Sequence, residues 1–151
     1  MNTQSVPVET EQSSRLGSAA VDGLMAGAAA GVAMLGYLLI TSGDAPAGLL
    51  NRFTGAGMES SPLMGAVGHL ALSAIYGMIF ALVWRALRGS PRRLFRIIGA
   101  VIYGLVLFAA SQWVILPTVG SPLLELPAMH WGIAHGIYGV VLGLVYRSGR
   151  A

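Results

Sequence analysis

His69 and His135 stand inside long apolar stretches of the sequence, and so do Tyr76 and Tyr138. A neutral imidazole offers one donor and one acceptor nitrogen and is a usual haem ligand. A phenol hydroxyl that leaves water needs a partner. Two histidines facing each other across helices would ligate haem b axially. The four side chains together would line a pocket for a quinone or another apolar ligand. In the plainest reading, each imidazole simply bonds a Tyr hydroxyl, Ser73 or a main-chain carbonyl across a helix interface. His69 and Tyr76 are two helical turns apart, about 10 Å, so bonds within the group must cross helices, from His135 to Tyr76 for example. No metal site is expected: two histidines without a nearby carboxylate or Cys supply too few ligands for zinc. The chain has no Cys, which also removes thiolate nucleophiles and disulfides. No P-loop, nucleophile elbow, dinucleotide-binding glycine pattern or zinc helix occurs, so catalysis is the weakest class of function.

The elements that must position these side chains are helices in lipid. The 151 residues are 55% apolar and only 10% charged, with a mean hydropathy of +0.71. A soluble domain carries about 25% charged residues with which to cover its surface. Four apolar runs, at about 19–41, 63–87, 95–116 and 128–146, each approach the roughly 20 residues that cross a hydrocarbon core. The fold class predicted is an all-α integral membrane four-helix bundle over 18–147. Polar residues 1–17 read as a disordered tail and 148–151 as a short second tail. Pro117, Pro122 and Pro127 mark the last break, and Pro62 and Pro127 sit where helices start.

Arginine sets the direction. Arg85, Arg88, Arg92, Arg93 and Arg96 surround the link between the second and third spans; Arg15, Arg147 and Arg150 flank the termini. The other two links hold only Arg52. Positive residues stay cytoplasmic, so both termini and the middle link should be cytoplasmic. A net charge of +3 carried this way is a topology signal, with anionic lipid headgroups as the natural contact, and does not indicate nucleic acid. Trp84, Trp113 and Trp131 fall near span ends and read as interfacial belt residues, with Met129-His130-Trp131 as an anchor. The stretch "PAGLLNRF" reads as a short amphipathic surface piece.

The phrase "SAIYGMIFALVWR" at 73–85 returns as "HGIYGVVLGLVYR" at 135–147, with Tyr76, Gly77, Val83 and Arg85 matched by Tyr138, Gly139, Val145 and Arg147. Two copies of a helical hairpin, related by an axis along the membrane normal, would explain it. On a helical wheel, Gly132, Gly136, Gly139 and Gly143 form one stripe of the last span, and Gly23, Gly27, Gly31 and Met34 one of the first. Gly65, His69, Leu72 and Tyr76 make a bulkier face of the second. Small residues at such spacings are contact faces of membrane helices, so the glycine stripes are expected to receive larger side chains from the second span.

With Gly68-His69 and the phrase formed by His135, Tyr138, Gly139, Leu142 and Gly143 in view, the chain resembles a broad group of small bacterial four-helix integral membrane proteins without an assigned function. The resemblance implies a bundle in a bacterial inner membrane and some importance for His69 and His135. It implies no substrate or cofactor. Three functions stay open. One is a non-catalytic accessory or structural subunit that packs against itself or a larger membrane complex. Another is a binding protein for haem b, quinone or another apolar ligand. The third, a minimal transporter, is disfavoured by the lack of paired intramembrane charges.

Overall fold

The computed structural model of the chain describes residues 8–54, 59, 61–87, 89–90 and 92–147. Residues 1–7 and 148–151 of the expected tails, Arg150 among them, and Arg88 of the arginine cluster lie outside these. The described residues are helical, with no strand among them. Helix α1 spans Val8–Thr41, α2 Pro46–Arg52, α3 Pro62–Ala86, α4 Arg93–Ala110 and α5 Ala128–Val145. Beyond α4 the chain continues through a π-helical turn, Ser111–Ile115, and one α-turn, Leu116–Thr118. A 3₁₀ turn, Pro122–Glu125, precedes α5.

Local chemistry accounts for the boundaries. The Ser61 hydroxyl accepts from the Met64 amide at 3.3 Å and Pro62 occupies the first turn of α3, a cap followed by the one residue that lacks a donor to waste. Pro117 gives the π-turn a cause. It has no N–H, and its ring crowds the carbonyl four residues back, so the ladder widens there. Gly120, at φ +59°, then ends the rod, and the Ser121 amide folds back to the Leu116 carbonyl at 3.0 Å. One boundary corrects the expectation. Residues 8–17 are not a tail but the first turns of α1. Extending a helix already nucleated by an apolar span costs little, and Glu9, Glu11 and Gln12 are adequate helix formers.

Four stretches, Leu16–Thr41, Pro62–Ala86, Arg93–Thr118 and Ala128–Val145, are long and apolar enough to cross a membrane. Packing within the bundle does not explain their composition. In Arg93–Thr118 only 17% of the most apolar window is buried against the rest of the protein. Ile98, Ile102, Leu105, Val106, Trp113 and Val114 all point outward.

The helices pack by fours. The buried residues of α3 include Gly65, His69, Ser73, Gly77 and Ala81; those of α4 are Arg96, Ala100 and Gly104; those of α5 include Trp131, His135, Gly139 and Gly143. Rows at a spacing of four wind slowly around a helix, so helices that meet along them must cross at an angle. Small residues make the crossings close. On α1, a Cβ at Gly23 or Gly27 would overlap the main chain of α3 around Ser73 and Gly77, and at Gly31 it would strike the Ser73 side chain. On α5, a Cβ at Gly139 would come 2.5 Å from the Ala100 carbonyl oxygen, and at Gly143 2.7 Å from Ile97 Cα.

This corrects the expected faces. The glycines of α1 meet the small residues of α3 and not its bulky ones. Gly139 and Gly143 of α5 meet α4 and not α3. Gly132 and Gly136 fall outside the row by one residue: a Cβ at Gly136 would meet nothing within 4 Å, and one at Gly132 only the Phe108 ring at 3.5 Å. Gly65 is a contact glycine, but its partner is the Leu50 carbonyl of α2.

Close backbone contact runs from α3 to α1, from α1 to α5 and from α5 to α4. Between α3 and α4 there is no comparable approach. Side chains bridge that seam at the arginine end, where Trp84 lies against Gly99, the Phe80 and Tyr103 ring centroids lie 5.4 Å apart with the rings tilted, and the Tyr103 hydroxyl donates to the Tyr76 carbonyl at 2.9 Å.

Candidate functional site

Away from the aromatic bridge, toward the end bearing α2 and the 3₁₀ turn, the α3–α4 seam opens into a cavity of about 340 Å³. This lies at the small end of the size range of ligand pockets. Gly68, Leu72 and Tyr76 of α3 form one side, and Leu107, Ser111 and Ile115 the other. Its floor is Met34 of α1 with His135 and Tyr138 of α5; His69, Phe53, Trp131 and Leu123 close the end. The sequence-predicted set of His69, Tyr76, His135 and Tyr138 therefore shares one cavity. Its mouth faces sideways, between two apolar helices: Gly68 is exposed, Leu72 is 50% exposed and Ile115 45%.

The four side chains hold their positions differently. His69 Nε2 donates to the Gly31 carbonyl at 3.0 Å, which ties α3 to α1 across a helix interface. His135 Nδ1 donates to the carbonyl of Trp131, one turn back on its own helix, at 2.9 Å. A carbonyl only accepts, so each neutral ring has its proton on the bonded nitrogen and leaves the other bare. Neither His69 Nδ1 nor His135 Nε2 has a hydrogen-bond partner among the described residues, and neither is fully enclosed by protein atoms. The Tyr138 hydroxyl is spent, donating to the Ser73 carbonyl at 2.7 Å. The Tyr76 hydroxyl has no partner among the described residues. The expected bond from His135 to Tyr76 is not made.

Aromatic rings build the closed end. Ring centroids lie 4.6 Å apart for Phe53 and His69, 6.1 Å for Phe53 and Trp131, and 4.8 Å for Trp131 and His135. The Trp131 indole donates to the Ser111 hydroxyl at 3.1 Å, and Ser111 donates on to the Phe108 carbonyl at 2.9 Å. Trp131 is thus a buried wall of the cavity and not an interfacial belt residue, a correction that also removes it from the expected anchor. His130 shares a 3.0 Å hydrogen bond with Tyr37. Trp84 is half-buried against Gly89 and Gly99 at the arginine end, and Trp113 is exposed.

The segment "PAGLLNRF" is the end cover of the cavity. Leu49 of α2 is fully buried, and Phe53 reaches the cavity. Arg52 fastens α2 to the 3₁₀ turn by hydrogen bonds to the Pro122 carbonyl, at 3.1 Å, and to Glu125, and it also bonds Asp44, in the link before α2, at 2.9 Å. The hydrogen bonds to Glu125 and then Asp44 raise the pKa of Arg52 further above its ordinary value, so its charge is permanent.

At the opposite end, Arg85, Arg92, Arg93 and Arg147 are exposed together. Arg96 departs from the expected cluster: it is buried, and its Nε donates at 2.9 Å to the Gly143 carbonyl, one of those a helix end leaves without an internal partner. Phe53, Ser111, Trp131 and the π-turn were not anticipated as parts of the site. Pro117, directly after the apolar run 95–116, was the signal for the last of these, since π-turns gather at functional sites. Among the described residues no three His, Cys, Asp or Glu side chains come together as a metal cluster. No family model matches the chain, and neither a curated protein nor a solved structure matches it.

Proposed function

We propose that the chain is a non-catalytic, multi-pass protein of a bacterial inner membrane that binds a small apolar ligand entering sideways from the bilayer. The observation that carries this is the cavity in the α3–α4 seam: it is apolar, open toward the lipid-facing side, and lined by His69, Tyr76, His135 and Tyr138. Closure of its end by Phe53 and Leu123, with Arg52 holding the cover, favours a lipid-borne ligand over a water-borne one. Haem b, a quinone and other apolar molecules are the candidate classes.

Two supports come from the frame. The exposed arginines at one end favour an orientation with that end, and both termini, in the cytoplasm. The buried row His69, Ser73, Gly77, Ala81 lies 62 residues before Trp131, His135, Gly139, Gly143, each packed on a small-residue row of the preceding long helix, which supports a duplicated hairpin. Membership of the small bacterial four-helix group belongs to the same proposal and rests on Gly68-His69 and the His135–Gly143 phrase.

Native mass spectrometry of the full chain, extracted in mild detergent, tests the binding reading. A bound small molecule is expected, and Gly68→Trp should remove it by filling the cavity. A Cβ at Gly68 meets nothing within 4 Å, so the substitution leaves helix contacts alone. Wild-type protein free of any bound small molecule would defeat the reading. A Soret band lost in His69→Ala or His135→Ala would identify haem b.

A second reading, an accessory subunit packing against itself or a larger complex, is favoured by one observation. Gly132 and Gly136 line an apolar groove on the outer face of α4 and α5, where, among the described residues, only the Phe108 ring lies against Gly132 and nothing lies within 4 Å of a Cβ at Gly136. In the same spectra, Gly136→Trp should abolish an oligomer or a stoichiometric partner while sparing the small ligand.

A further inference from the structure

We infer that the cavity selects a lipophilic hydroquinone, an aromatic headgroup carrying hydroxyl donors, over the corresponding quinone. This rests on the reading of the cavity as a ligand site and adds the chemistry of the headgroup. Both imidazoles have spent their single proton on main-chain carbonyls, Gly31 for His69 and Trp131 for His135. What they turn to a ligand is a pair of bare nitrogens, His69 Nδ1 and His135 Nε2. A hydroquinone has an O–H for each. A quinone has only carbonyl oxygens, whose lone pairs meet the lone pairs of the rings.

Tautomer exchange offers the quinone no way out. Moving the proton to the free nitrogen would set His69 Nε2 against Gly31 O, or His135 Nδ1 against Trp131 O, acceptor against acceptor. In an apolar cavity such a group has no water to turn to. The Tyr76 hydroxyl both donates and accepts, so it serves either form and discriminates neither. The aromatic end formed by Phe53, Trp131 and the two imidazoles suits a flat ring, which packs against such rings offset or edge-on. The sideways mouth past Gly68 and Leu72 leaves room for an alkyl tail to run into lipid.

Hydrogen bonds between partners in membranes are individually modest, so two of them predict a preference on the order of tenfold. The test is calorimetric titration of the full chain in lipid nanodiscs with decylubiquinol, kept reduced under anaerobic conditions, and with decylubiquinone. The reduced form should bind about tenfold more tightly, and the gap should narrow in His135→Phe, whose lost N–H bond lies within its own helix. Wild-type protein alone decides the matter should that variant fail to fold. Equal affinities, or tighter binding of decylubiquinone, would overturn the selectivity, and if Gly68→Trp abolishes that binding the ligand cavity itself still stands. Binding of neither form, or a Soret band showing the cavity to hold haem, also overturns the inference. The native spectra then decide the wider reading separately.

Discussion

The α1–α5 seam and the α3–α4 seam would be copies of one another if the two hairpins, α1–α3 and α4–α5, were related by a two-fold axis. One is closed and the other is open. Ala26 and Ala30 of α1 and Ala134 of α5 are completely buried, and such small side chains let two backbones draw together. On the other seam stand Leu72, Tyr76, Phe80 and Trp84 facing Leu107 and Tyr103. Large side chains keep those backbones apart, fill the space at one end and leave it empty at the other. Residue size along a seam thus decides whether two neighbouring helices close together or leave a cavity between them.

The same lesson holds for the repeated phrase. Gly77 and Gly139 do the same work, each letting its helix touch the neighbour in its own hairpin. Tyr76 and Tyr138 do not. Tyr138 is 2% exposed with its hydroxyl satisfied, while Tyr76 is half-buried and its hydroxyl has no partner among the described residues.

The sharpest test of the shared part is Gly77→Leu or Gly139→Leu. Either forces a side chain into a backbone contact and should destabilise the fold by about 3 kcal/mol or more, whereas Gly136→Leu, into open space, should stay within about 0.5 kcal/mol in detergent unfolding. A tolerant Gly139 would show that Gly77 and Gly139 do not do the same work. Next comes the aromatic bridge. Trp84→Ala removes a large ring from between Gly89 and Gly99 and should cost about 3 kcal/mol in the same assay, with reduced binding in the cavity that the ring helps hold open. Smaller is the contrast between the tyrosines. Tyr138→Phe should lose about 1 kcal/mol of stability, and Tyr76→Phe less than about 0.5 kcal/mol, its effect appearing in ligand affinity instead. The smallest effect belongs to the end cover: Arg52→Gln should cost no more than about 1 kcal/mol, since its ion pairs are partly in water, but hydrogen exchange at residues 46–53 should quicken.

Much of the helical frame was legible because apolar run length and proline position are local properties. The identity of the cavity-lining histidines and tyrosines was legible too, since polar groups in apolar runs demand partners wherever they land. The packing faces were not. Gly132 and Gly136 share a wheel sector with Gly139 and Gly143, and only the angle at which α5 crosses α4 separates a contact glycine from an exposed one. Arg96 looked like its neighbours Arg92 and Arg93 because its partner, the Gly143 carbonyl, is 47 residues away.

By itself, then, the order of residues determined four apolar helices, most of the breaks between them, and a short set of polar side chains that had to find partners among them. It also held the phrase shared by residues 73–85 and 135–147. The tertiary structure alone decided which seam closed and which stayed open, because that depends on how side chains from distant helices fit together at a crossing. It also decided which nitrogen of His69 is spent, because the Gly31 carbonyl that takes its proton lies on another helix, 38 residues away.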